Sequence, residues 1–588
     1  KEGRQEAEDK FAEAEKELEN AKKEIEDGKK EIEDIKTPTT YVFNRSHNTG
    51  YNSFENDSSI IEGIAKILPI FFFLVAALVC STTMARMVDE QRTQIGTLKS
   101  LGYSNRKITN KYMFYSGSAA ILGWIIGYLL GSKLFPMAIW AAYGMLYSFA
   151  PIEYIFDTRI AITSLIASLL SSAGITYLTC KNELIKMPAQ LIRPKAPKAG
   201  KRTFLEKIPF IWERIGFLHK VTIRNIFRYK KRLFMTILGV AGCTALIIAA
   251  LGIKDSVSNI ADDQFDKIMT YDYEIYFTEE QKQEDQKNIK EKYSHLLSEN
   301  VFVVKETWEL EVNNQTKTFQ AIATNDPNIS NIINFSLDGN KVSYPEDGKV
   351  LINDKLAKEA NVSIGDTLTI KLSDTDTVDA LIGGIFENYV DNYMFMTENT
   401  YQMIFNENAE YKNAFASSND KDMEKITQML GDEKEVAAIS VLNNIRNMVS
   451  DMMQSLNYII WLVIACAAAL AFLVIYNLNN INITERTREI ATIKVLGFYS
   501  IETYSYVYRE NIVLTSLGIL LGLGLGIILH KFIMAQLVVA LVSFKEQIFP
   551  LSYILAIIIT FLLTIVVNLI LKRKIDSINM AESLKSVE

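Results

Sequence analysis

The sequence predicts a membrane α-helical protein with seven spans, together with an α+β domain and a coiled coil outside the membrane. Three observations predict this fold class. Seven apolar stretches are long enough to cross a bilayer, a three-helix pattern occurs twice, and two long polar regions are acidic whereas the short loops are basic. Of the 588 residues, 49% are hydrophobic, which is too apolar for an ordinary soluble protein with 22% charged residues.

Residues 1–59 contain a heptad pattern between positions 11 and 35. Its two core positions are filled by Phe11, Leu18, Ile25 and Ile32, and by Ala14, Ala21, Gly28 and Ile35. Apolar residues that alternate at spacings of three and four are typical of a coiled coil, although a solvated single helix is the simpler alternative. Because no second heptad helix follows nearby, we expect the partner strand upstream of Lys1, in an antiparallel hairpin that projects from the membrane.

Seven stretches without charged residues have the length that a membrane helix needs, roughly 20 residues. They are 67–85, 112–132, 160–180, 233–253, a part of 452–484, 511–530 and 551–571. The four cysteines all fall inside apolar runs, so the sequence predicts neither a disulfide framework nor a zinc site.

The charges between the spans predict their orientation. Segment 181–232 carries 15 Lys and Arg against 3 Asp and Glu, and segment 85–111 carries 6 against 2. Residues 1–59 carry 10 against 16, and residues 254–450 carry 18 against 36. Because short basic loops stay in the cytoplasm, residues 1–59 and 254–450 are expected outside. Seven spans then place the C-terminus, which follows the basic residues 572–574, in the cytoplasm.

An internal repeat relates two parts of the chain at an offset of 395 residues. The matching residues are Glu90, Ile95, Thr97, Lys99, Leu101 and Gly102 in the first copy and Glu485, Ile490, Thr492, Lys494, Leu496 and Gly497 in the second. The chain therefore contains two copies of one three-helix unit, 60–180 and 452–571.

Each copy places a short amphipathic stretch, 89–103 or 484–498, after its first span. Apolar residues recur there at helical spacing, and Gly102 or Gly497 stands where a helix C-cap is expected. Such a helix could rest on lipid. Because lipid contact alone does not select the duplicated Glu, Thr and Lys, a docking helix for a cytoplasmic partner is the favoured interpretation.

The same offset relates two stripes of small residues spaced four apart. The stripes are Ala119, Gly123, Gly127 and Gly131 in the first copy and Gly518, Gly522 and Gly526 in the second. Small residues let a neighbouring helix approach closely in a membrane. Packing within the chain is the simpler interpretation, and a dimer interface is the alternative.

Residues 254–450 show the mixed pattern of an α+β domain. Strands are predicted at 271–277, 301–311, 317–323 and 367–372, and helices at 354–360 and 421–430. The acidic surface could attract cationic peptides or polyamines, but a solvated acidic surface is the more common explanation.

Motifs for catalysis are not found in the sequence. No G-x-x-x-x-G-K-[ST] motif occurs, so the chain alone is not expected to hydrolyse nucleotide or to act as an enzyme. The four histidines are scattered, and no metal or other cofactor is expected. Span centres are almost free of charge, which disfavours an ion-coupled carrier, and no polar stripe indicates a channel. No nucleic-acid partner is expected.

At the residues of the internal repeat the chain resembles the FtsX-like permeases, which include the MacB-type exporters and the lipoprotein-releasing permeases. The family pattern E-x-x-x-E-I-(A/G)-x-L-(K/R)-x-(L/I)-G is matched by Glu485, Glu489, Ile490, Ala491, Lys494 and Gly497. The first copy departs from it, with Gln94 at the position of Glu489. Residues 221–239 are similar to the basic helix that precedes a permease half, and residues 348–370 to the β-rich part of MacB-like extracellular domains.

The resemblance implies the permease subunit of an ABC transporter in a bacterial cell membrane. The two amphipathic stretches would be coupling helices that sit on a dimer of a separate cytoplasmic ATPase, which binds ATP and Mg²⁺. Their residues would be Glu90, Arg92, Ile95, Thr97, Lys99, Leu101, Gly102, Glu485, Arg488, Glu489, Ile490, Thr492, Lys494, Leu496 and Gly497. A complete permease of this type has four spans in each half, so a further span is expected upstream of Lys1.

ATP hydrolysis would then move the outside parts through the spans, and these would act on a lipoprotein, a peptide or a cell-wall protein. The alternative is an ATP-independent scaffold or sensor that presents the coiled coil to an envelope partner, although a scaffold has no use for two docking helices. The predicted domains are the coiled-coil arm 1–59, the first unit 60–180, the basic linker 181–232, a span 233–253, the outside domain 254–450, and the second unit with its tail 451–588.

Overall fold

The structure is a computed structural model that describes residues 21–23, 29, 49–144, 151–193, 209–214, 216–228, 230–312, 315–371, 377–418, 423–537 and 542–580. Residues 1–55 and 56–588 form two compact units. The described part of the first unit is residues 21–23, residue 29 and the beginning of the helix Thr49–Glu90. Apart from four of its positions, the coiled coil predicted for 11–35 lies outside the described residues and stays a prediction.

Seven helices among the described residues are long and apolar enough to cross a membrane, as the sequence predicts. We call them the first to the seventh span: Asp57–Glu90, Asn105–Tyr143, Thr158–Lys181, Leu233–Ile268, Leu442–Glu485, Ser500–Gln536 and Pro550–Asp576. The third and fourth spans contain π-helical stretches, Leu170–Gly174 and Asp263–Ile268. The fifth span begins at Leu442, ahead of the boundary predicted at residue 450.

The helix boundaries follow the same offset as the sequence repeat. Glu90 and Glu485 end the first and fifth spans, and Asn105 and Ser500 begin the second and sixth, so both pairs are 395 residues apart. The short helices Arg92–Ser100 and Thr487–Val495 lie between them. Further short helices outside the sheet region are Pro188–Ile192, Pro209–Arg214 and Phe217–Arg228.

The residues between the fourth and fifth spans form a sheet-rich α+β domain, called the sheet domain below. Its strands are β1 (Tyr273–Phe277), β2 (Leu297–Val312), β3 (Gln315–Ala323), β4 (Ser336–Leu337), β5 (Asn340–Lys341), β6 (Lys349–Asn353), β7 (Thr367–Lys371), β8 (Thr377–Phe386), β9 (Tyr393–Met396), β10 (Asn413–Ser418) and β11 (Val436–Val441). Its helices are Gln283–Tyr293, Ile329–Ile332, Asp354–Ala360, Glu398–Phe405 and Met423–Gly431. The strands and helices predicted there are confirmed to within a few residues.

The 16-residue strand β2 belongs to two parts of one sheet. Its first half pairs with β10 in the order β11-β1-β10-β2, and its second half pairs with β3. From there the order β2-β3-β9-β6-β8-β7 returns to β2, where Glu309 pairs with Lys371. The sheet domain therefore combines an open four-stranded sheet with a small closed barrel.

One apolar core joins the spans to the sheet domain. It contains Ile253 of the fourth span, Met453 of the fifth span, and Val301, Phe395 and Phe415 of the sheet. Separate cores fill the barrel and the space beneath the open sheet. Because packed interiors resist compression, the shared core makes the sheet domain and these two spans mechanically continuous.

Candidate functional site

The short helices Arg92–Ser100 and Thr487–Val495 form the candidate site, and we call them the first and second connector helices. Each is separated from the preceding span by one residue outside the α-helical region. Gln91 has φ −89° and ψ 12°, and Arg486 has φ −107° and ψ 11°. We call these two positions the first and second joints. Similar backbone geometry at the repeat offset shows that the two joints are copies of one structure.

Both connector helices end as the sequence predicts, at a glycine in the left-handed region. Gly102 has φ 85° and Gly497 has φ 89°. After Gly102, the Tyr103 N–H donates to the Leu98 carbonyl oxygen at 3.1 Å. This is the backbone bond of a Schellman motif, in which glycine avoids the steric cost of positive φ.

One face of each connector helix is buried against its own three-helix unit. Ile95 packs with Met84 and Tyr112, and Ile490 packs with Ile483. These two isoleucines of the predicted site therefore hold the connector helices in place.

Lys99 and Lys494 also point towards their own units. Lys99 Nζ donates to the carbonyl oxygens of Leu184 at 2.7 Å and Lys186 at 2.8 Å. Lys494 Nζ donates to the Ile575 carbonyl oxygen at 2.9 Å and to that of the next residue at 3.1 Å. In both units the ammonium group satisfies carbonyls at the C-terminal end of the last helix, where a positive charge is favourable.

The opposite face of each connector helix is exposed. The exposed predicted site residues on this face or next to the helix ends are Glu90, Thr97, Leu101 and Gly102 in the first copy and Glu485, Arg488, Thr492, Leu496 and Gly497 in the second. Leu101 and Leu496 are each 70% exposed. Exposed apolar side chains among charged ones are typical of a protein-contact surface.

Four apolar residues that were not among the predicted site residues enlarge this surface in the second copy. We define the second apolar patch as the exposed residues Val495, Leu496, Phe498, Tyr499 and Ile501. At the same offset, the first copy has Ser100, Leu101, Tyr103, Ser104 and Arg106. The sequence does indicate this patch, because apolar residues stand there between a charged connector helix and the next span.

The two remaining predicted residues, Arg92 and Glu489, are partly buried. Arg92 Nη2 donates to the Gln190 carbonyl oxygen. Glu489 Oε2 accepts a hydrogen bond from Arg486 Nε at 2.9 Å. Both side chains therefore hold a connector helix to its surroundings.

Arg486, at the second joint, was not among the predicted site residues. Its Nη1 lies 2.6 Å from Glu510 Oε2 of the sixth span, and the two side chains are 2% and 1% exposed. Its guanidinium group also lies 4.7 Å from the centre of the Tyr506 ring. The sequence signal was a pair of opposite charges at the ends of two neighbouring apolar stretches.

The first joint has different groups at the same positions. Gln91 Oε1 accepts from Tyr112 Oη at 2.9 Å and from Lys111 Nζ at 3.2 Å. The position of Glu510 is taken by Tyr115, which is 57% exposed. The departure at Gln94 is thus one part of a wider difference between the two joints.

Four asparagines form a buried hydrogen-bonded cluster beside the second joint. Asn482 donates to Asn511 at 2.7 Å, and Asn479 and Asn511 donate to Asn568 at 3.1 and 3.3 Å. This cluster joins the fifth, sixth and seventh spans. The absence of charge from the spans does not indicate this cluster, because asparagine is neutral, although buried amides in a membrane need hydrogen-bond partners just as charges do.

The two glycine stripes differ in their surroundings. A Cβ at Gly518, Gly522 or Gly526 would lie 2.6 Å from a side chain of the fourth span, so the second stripe packs within the chain. In the first stripe, Ala119 is exposed, and Gly131 meets a side chain of its own helix at 3.9 Å. A Cβ at Gly123 or Gly127 meets no atom within 4 Å among the described residues.

At the opposite end of the spans, hydrogen bonds fix the sheet domain to the helices. Gln264 Nε2 donates to Asn388 Oδ1 at 2.8 Å, and Gln264 Oε1 accepts from the Tyr389 N–H at 2.8 Å. The Ser543 N–H, in the connection between the sixth and seventh spans, donates to the Tyr389 carbonyl oxygen at 2.8 Å. In the described parts of the chain, no three His, Cys, Asp or Glu side chains are grouped to hold a metal ion.

The solved structures that are similar to part of the chain include domains of two transporters. The periplasmic region of MacB from Actinobacillus actinomycetemcomitans is 11% identical, with a TM-score of 0.22, over 31% of this chain and 94% of that chain. The extracellular domain of the noncanonic ABC-type transporter YknZ from Gram-positive bacteria is 14% identical, with a TM-score of 0.21, over 29% of this chain and 99% of that chain. No curated protein matches the chain.

Two family models match the chain, and their limits follow the architecture. The FtsX-like permease C-terminal model matches residues 66–183 and again residues 461–580, which are the two repeat units. The MacB-like periplasmic core domain model matches residues 233–460, which contain the sheet domain. The chain therefore belongs to the FtsX-like and MacB-like family of ABC transporter permeases.

Proposed function

We propose that this chain is a permease of the mechanotransmission type, in which a separate cytoplasmic ATPase moves the sheet domain on the other side of the membrane. One observation carries the proposal. The helix Leu442–Glu485 follows β11 directly and continues for 44 residues to the second joint. That is about 66 Å at roughly 1.5 Å per residue, so one rigid helix connects the sheet domain to the second connector helix.

The fourth span supports the same route. Arg446, near the start of the fifth-span helix, bonds Asp262 at 2.8 Å and Asp266 at 3.1 Å. These two carboxylates lie at the end of the fourth span, immediately before β1. Both helices that enter the sheet domain are thus tied together, and a shift of one would carry the other and the sheet.

The ATPase would dock on the exposed faces of the two connector helices. Leu101 and the second apolar patch provide apolar contact, and Glu90, Glu485 and Arg488 provide charges at its edge. An apolar centre with a charged rim suits a protein partner. The ATP and Mg²⁺ would be bound by that partner.

The proposed location is a bacterial cell membrane, with residues 1–59 and 254–450 outside and the C-terminus in the cytoplasm. The charge difference between basic short loops and acidic long regions supports this orientation. The spans contact lipid, and the moving domain would act on a lipoprotein, a peptide or a cell-wall protein at the outer face.

Docking is tested with the double variant Leu101→Glu and Leu496→Glu in the full chain, co-expressed with the ATPase of its native host. We expect co-purification to be lost, because buried carboxylates would face an apolar pocket. The control is Met403→Glu, an equally drastic change at a residue 62% exposed on the sheet domain. Unchanged ATPase binding in the double variant would instead favour the ATP-independent scaffold.

Orientation is tested by labelling intact cells with a membrane-impermeant maleimide. The chain carries one introduced cysteine, either Ser363→Cys in the sheet domain or Thr97→Cys on the first connector helix, both at exposed positions. We expect the cysteine at residue 363 to be labelled in intact cells and the cysteine at residue 97 to be labelled only after lysis. The reverse pattern would refute the orientation.

A further inference from the structure

The two joints coincide in backbone but differ in chemistry. At the second joint, one guanidinium group bonds the connector helix through Glu489 and the sixth span through Glu510, and it also stacks on Tyr506. If the connector helix turned relative to the sixth span, the guanidinium group would have to give up either Glu489 or both Glu510 and Tyr506. Because the Arg486–Glu510 pair is buried, a turn that separates these two charges is strongly disfavoured.

The second joint is also continuous with the asparagine cluster. Glu510 is followed by Asn511, whose amide group bonds Asn482 and Asn568. Polar groups from three spans are therefore linked to the residues that hold the second connector helix. Networks of buried hydrogen bonds of this kind fix one arrangement of the helices.

The first joint lacks both features at equivalent positions. Gln91 bonds one phenol and one lysine, and Tyr115 at the position of Glu510 is largely exposed. The positions of Asn482 and Asn568 are occupied by Met87 and Ala173. The Lys111–Gln91 bond is exposed and the Tyr112–Gln91 bond joins two neutral groups, so a turn at the first joint breaks no buried ion pair and costs less than a turn at the second.

We propose that the Arg486–Glu510 pair locks the second joint, so that the second connector helix moves as one body with the sixth span while the first pivots at Gln91. Arg486 is then a positioning residue, and the two docking sites are mechanically unequal. The lock is formed entirely by residues of this chain and does not depend on a bound ATPase. Its meaning for transport rests on the function proposed above, since the locked copy would carry most of the ATPase movement.

The test measures the freedom of each connector helix with two matched pairs of spin labels. One pair is Thr492 and Ser505 across the second joint, and the other is Thr97 and Asn110 across the first. All four side chains are exposed, and the pairs are related by the repeat offset. The full chain, with its native cysteines replaced, is studied in lipid nanodiscs by electron paramagnetic resonance, which gives a distance distribution for each pair.

We expect a narrower distribution for the second pair than for the first. In the double variant Arg486→Gln and Glu510→Gln, the second distribution should broaden to the width of the first, while the first stays unchanged. Removing both charges avoids a lone buried ion, so folding is preserved and is checked by the unchanged first pair. Equal widths in the unmodified chain, or an unchanged second pair in the double variant, would overturn the lock.

A gain of rigidity provides an independent check. Gln91→Arg, Gln94→Glu and Tyr115→Glu together transfer the ion-paired groups to the first joint, and they should narrow the distribution of the first pair. No narrowing in a chain that elutes as the unmodified protein does would contradict the assignment. These widths are recorded without the ATPase, so they test the lock separately from docking, which the variants at Leu101 and Leu496 test.

Discussion

At the scale of single residues, the connector helices show that spacing alone does not tell which side chains face a partner. Lys99 and Lys494 share the predicted docking pattern with Leu101 and Leu496, yet the lysines bond carbonyl groups of their own units and the leucines are exposed. A lysine side chain is long enough to reach a helix end beside it. Its role is therefore fixed by packing rather than by periodicity.

Replacing Lys494 by methionine should lower the midpoint of thermal unfolding in detergent. The free energy of unfolding should fall by about 1 kcal/mol, because the hydrogen bonds from the half-exposed ammonium group to carbonyl groups disappear while the packing of the aliphatic side chain is kept. ATPase co-purification should persist. The control is Arg106→Met, at an exposed position. If Lys494→Met instead abolished ATPase binding without lowering the midpoint, the lysine would face the partner.

Lys355 gives the sheet domain a dependence on pH. Burial lowers the pKa of Lys355 to about 8, and nearby Glu359 opposes this shift. The unfolded chain has a lysine pKa of about 10.4. Between these two values the unfolded chain binds more protons than the folded chain, so stability of this region rises with pH. Below about pH 8 the group is protonated in both states and the dependence ends.

The measurement is hydrogen exchange of the peptide 349–360, corrected for the intrinsic effect of pH on exchange. Protection should increase between about pH 8 and about pH 10 in the unmodified chain, by the linkage of proton binding to stability. Lys355→Met should remove this increase and raise protection at neutral pH. An equal increase in the variant would assign the pH dependence to another group.

At the scale of helices, the same glycine periodicity serves two environments. The second stripe lies against the fourth span, where Cβ atoms would meet Val240, Thr244 and Ile248. In the first stripe, Ala119, Gly123 and Gly127 are exposed. The repeat predicts the shape of the helix surface but not what covers it. That depends on the fourth span, which follows the first unit and packs on the second.

Gly522→Ala should therefore destabilise the chain, and Gly127→Ala should not. At Gly522 a Cβ would lie 2.6 Å from the Thr244 side chain and 2.8 Å from the Ala241 carbonyl oxygen, and the backbone atom cannot move aside. Overpacking of this kind costs about 1–3 kcal/mol. The measurement is the midpoint of thermal unfolding in detergent for each variant, and the two substituted positions are equivalent in the repeat. Equal midpoints would mean that the fourth and sixth spans separate easily.

At the scale of the whole molecule, the sheet domain and the second connector helix lie at opposite ends of one helix. A proline in that helix should bend it, because the ring removes a backbone donor and clashes with the preceding turn. Ala469 is exposed near the middle of the fifth span. We expect Ala469→Pro to keep ATPase binding and to lose ATP-dependent movement of the sheet domain.

The movement is followed by the distance between labels at residues 363 and 97, with ADP and with ATP trapped on the ATPase. Ala469→Leu is the control, since it changes size without breaking the helix. Full movement in the proline variant would show that force reaches the sheet domain along the fourth span instead.

The spans, the repeat, the connector helices, and four strands and two helices of the sheet domain could be predicted from the sequence, because these depend on local hydrophobic patterns. The predicted lengths of the spans were too short, since helices such as Leu442–Glu485 continue beyond the apolar part that a membrane requires. The Arg486–Glu510 pair and the asparagine cluster were not predicted, although opposite charges at the ends of two apolar stretches are visible in the sequence. Their significance comes from burial, which the hydrophobic pattern does not show.

The apolar core shared by the spans and the sheet has a consequence for biogenesis. Ile253, Phe415 and Met453 enter the same core, although translation supplies them about two hundred residues apart. Strands β1 to β11 all precede the fifth span, so a nascent sheet domain lacks part of its core until that span arrives. We therefore expect insertion of the fifth span and completion of this core to be coupled, and truncation before residue 453 to leave the fourth span and the sheet domain open to degradation.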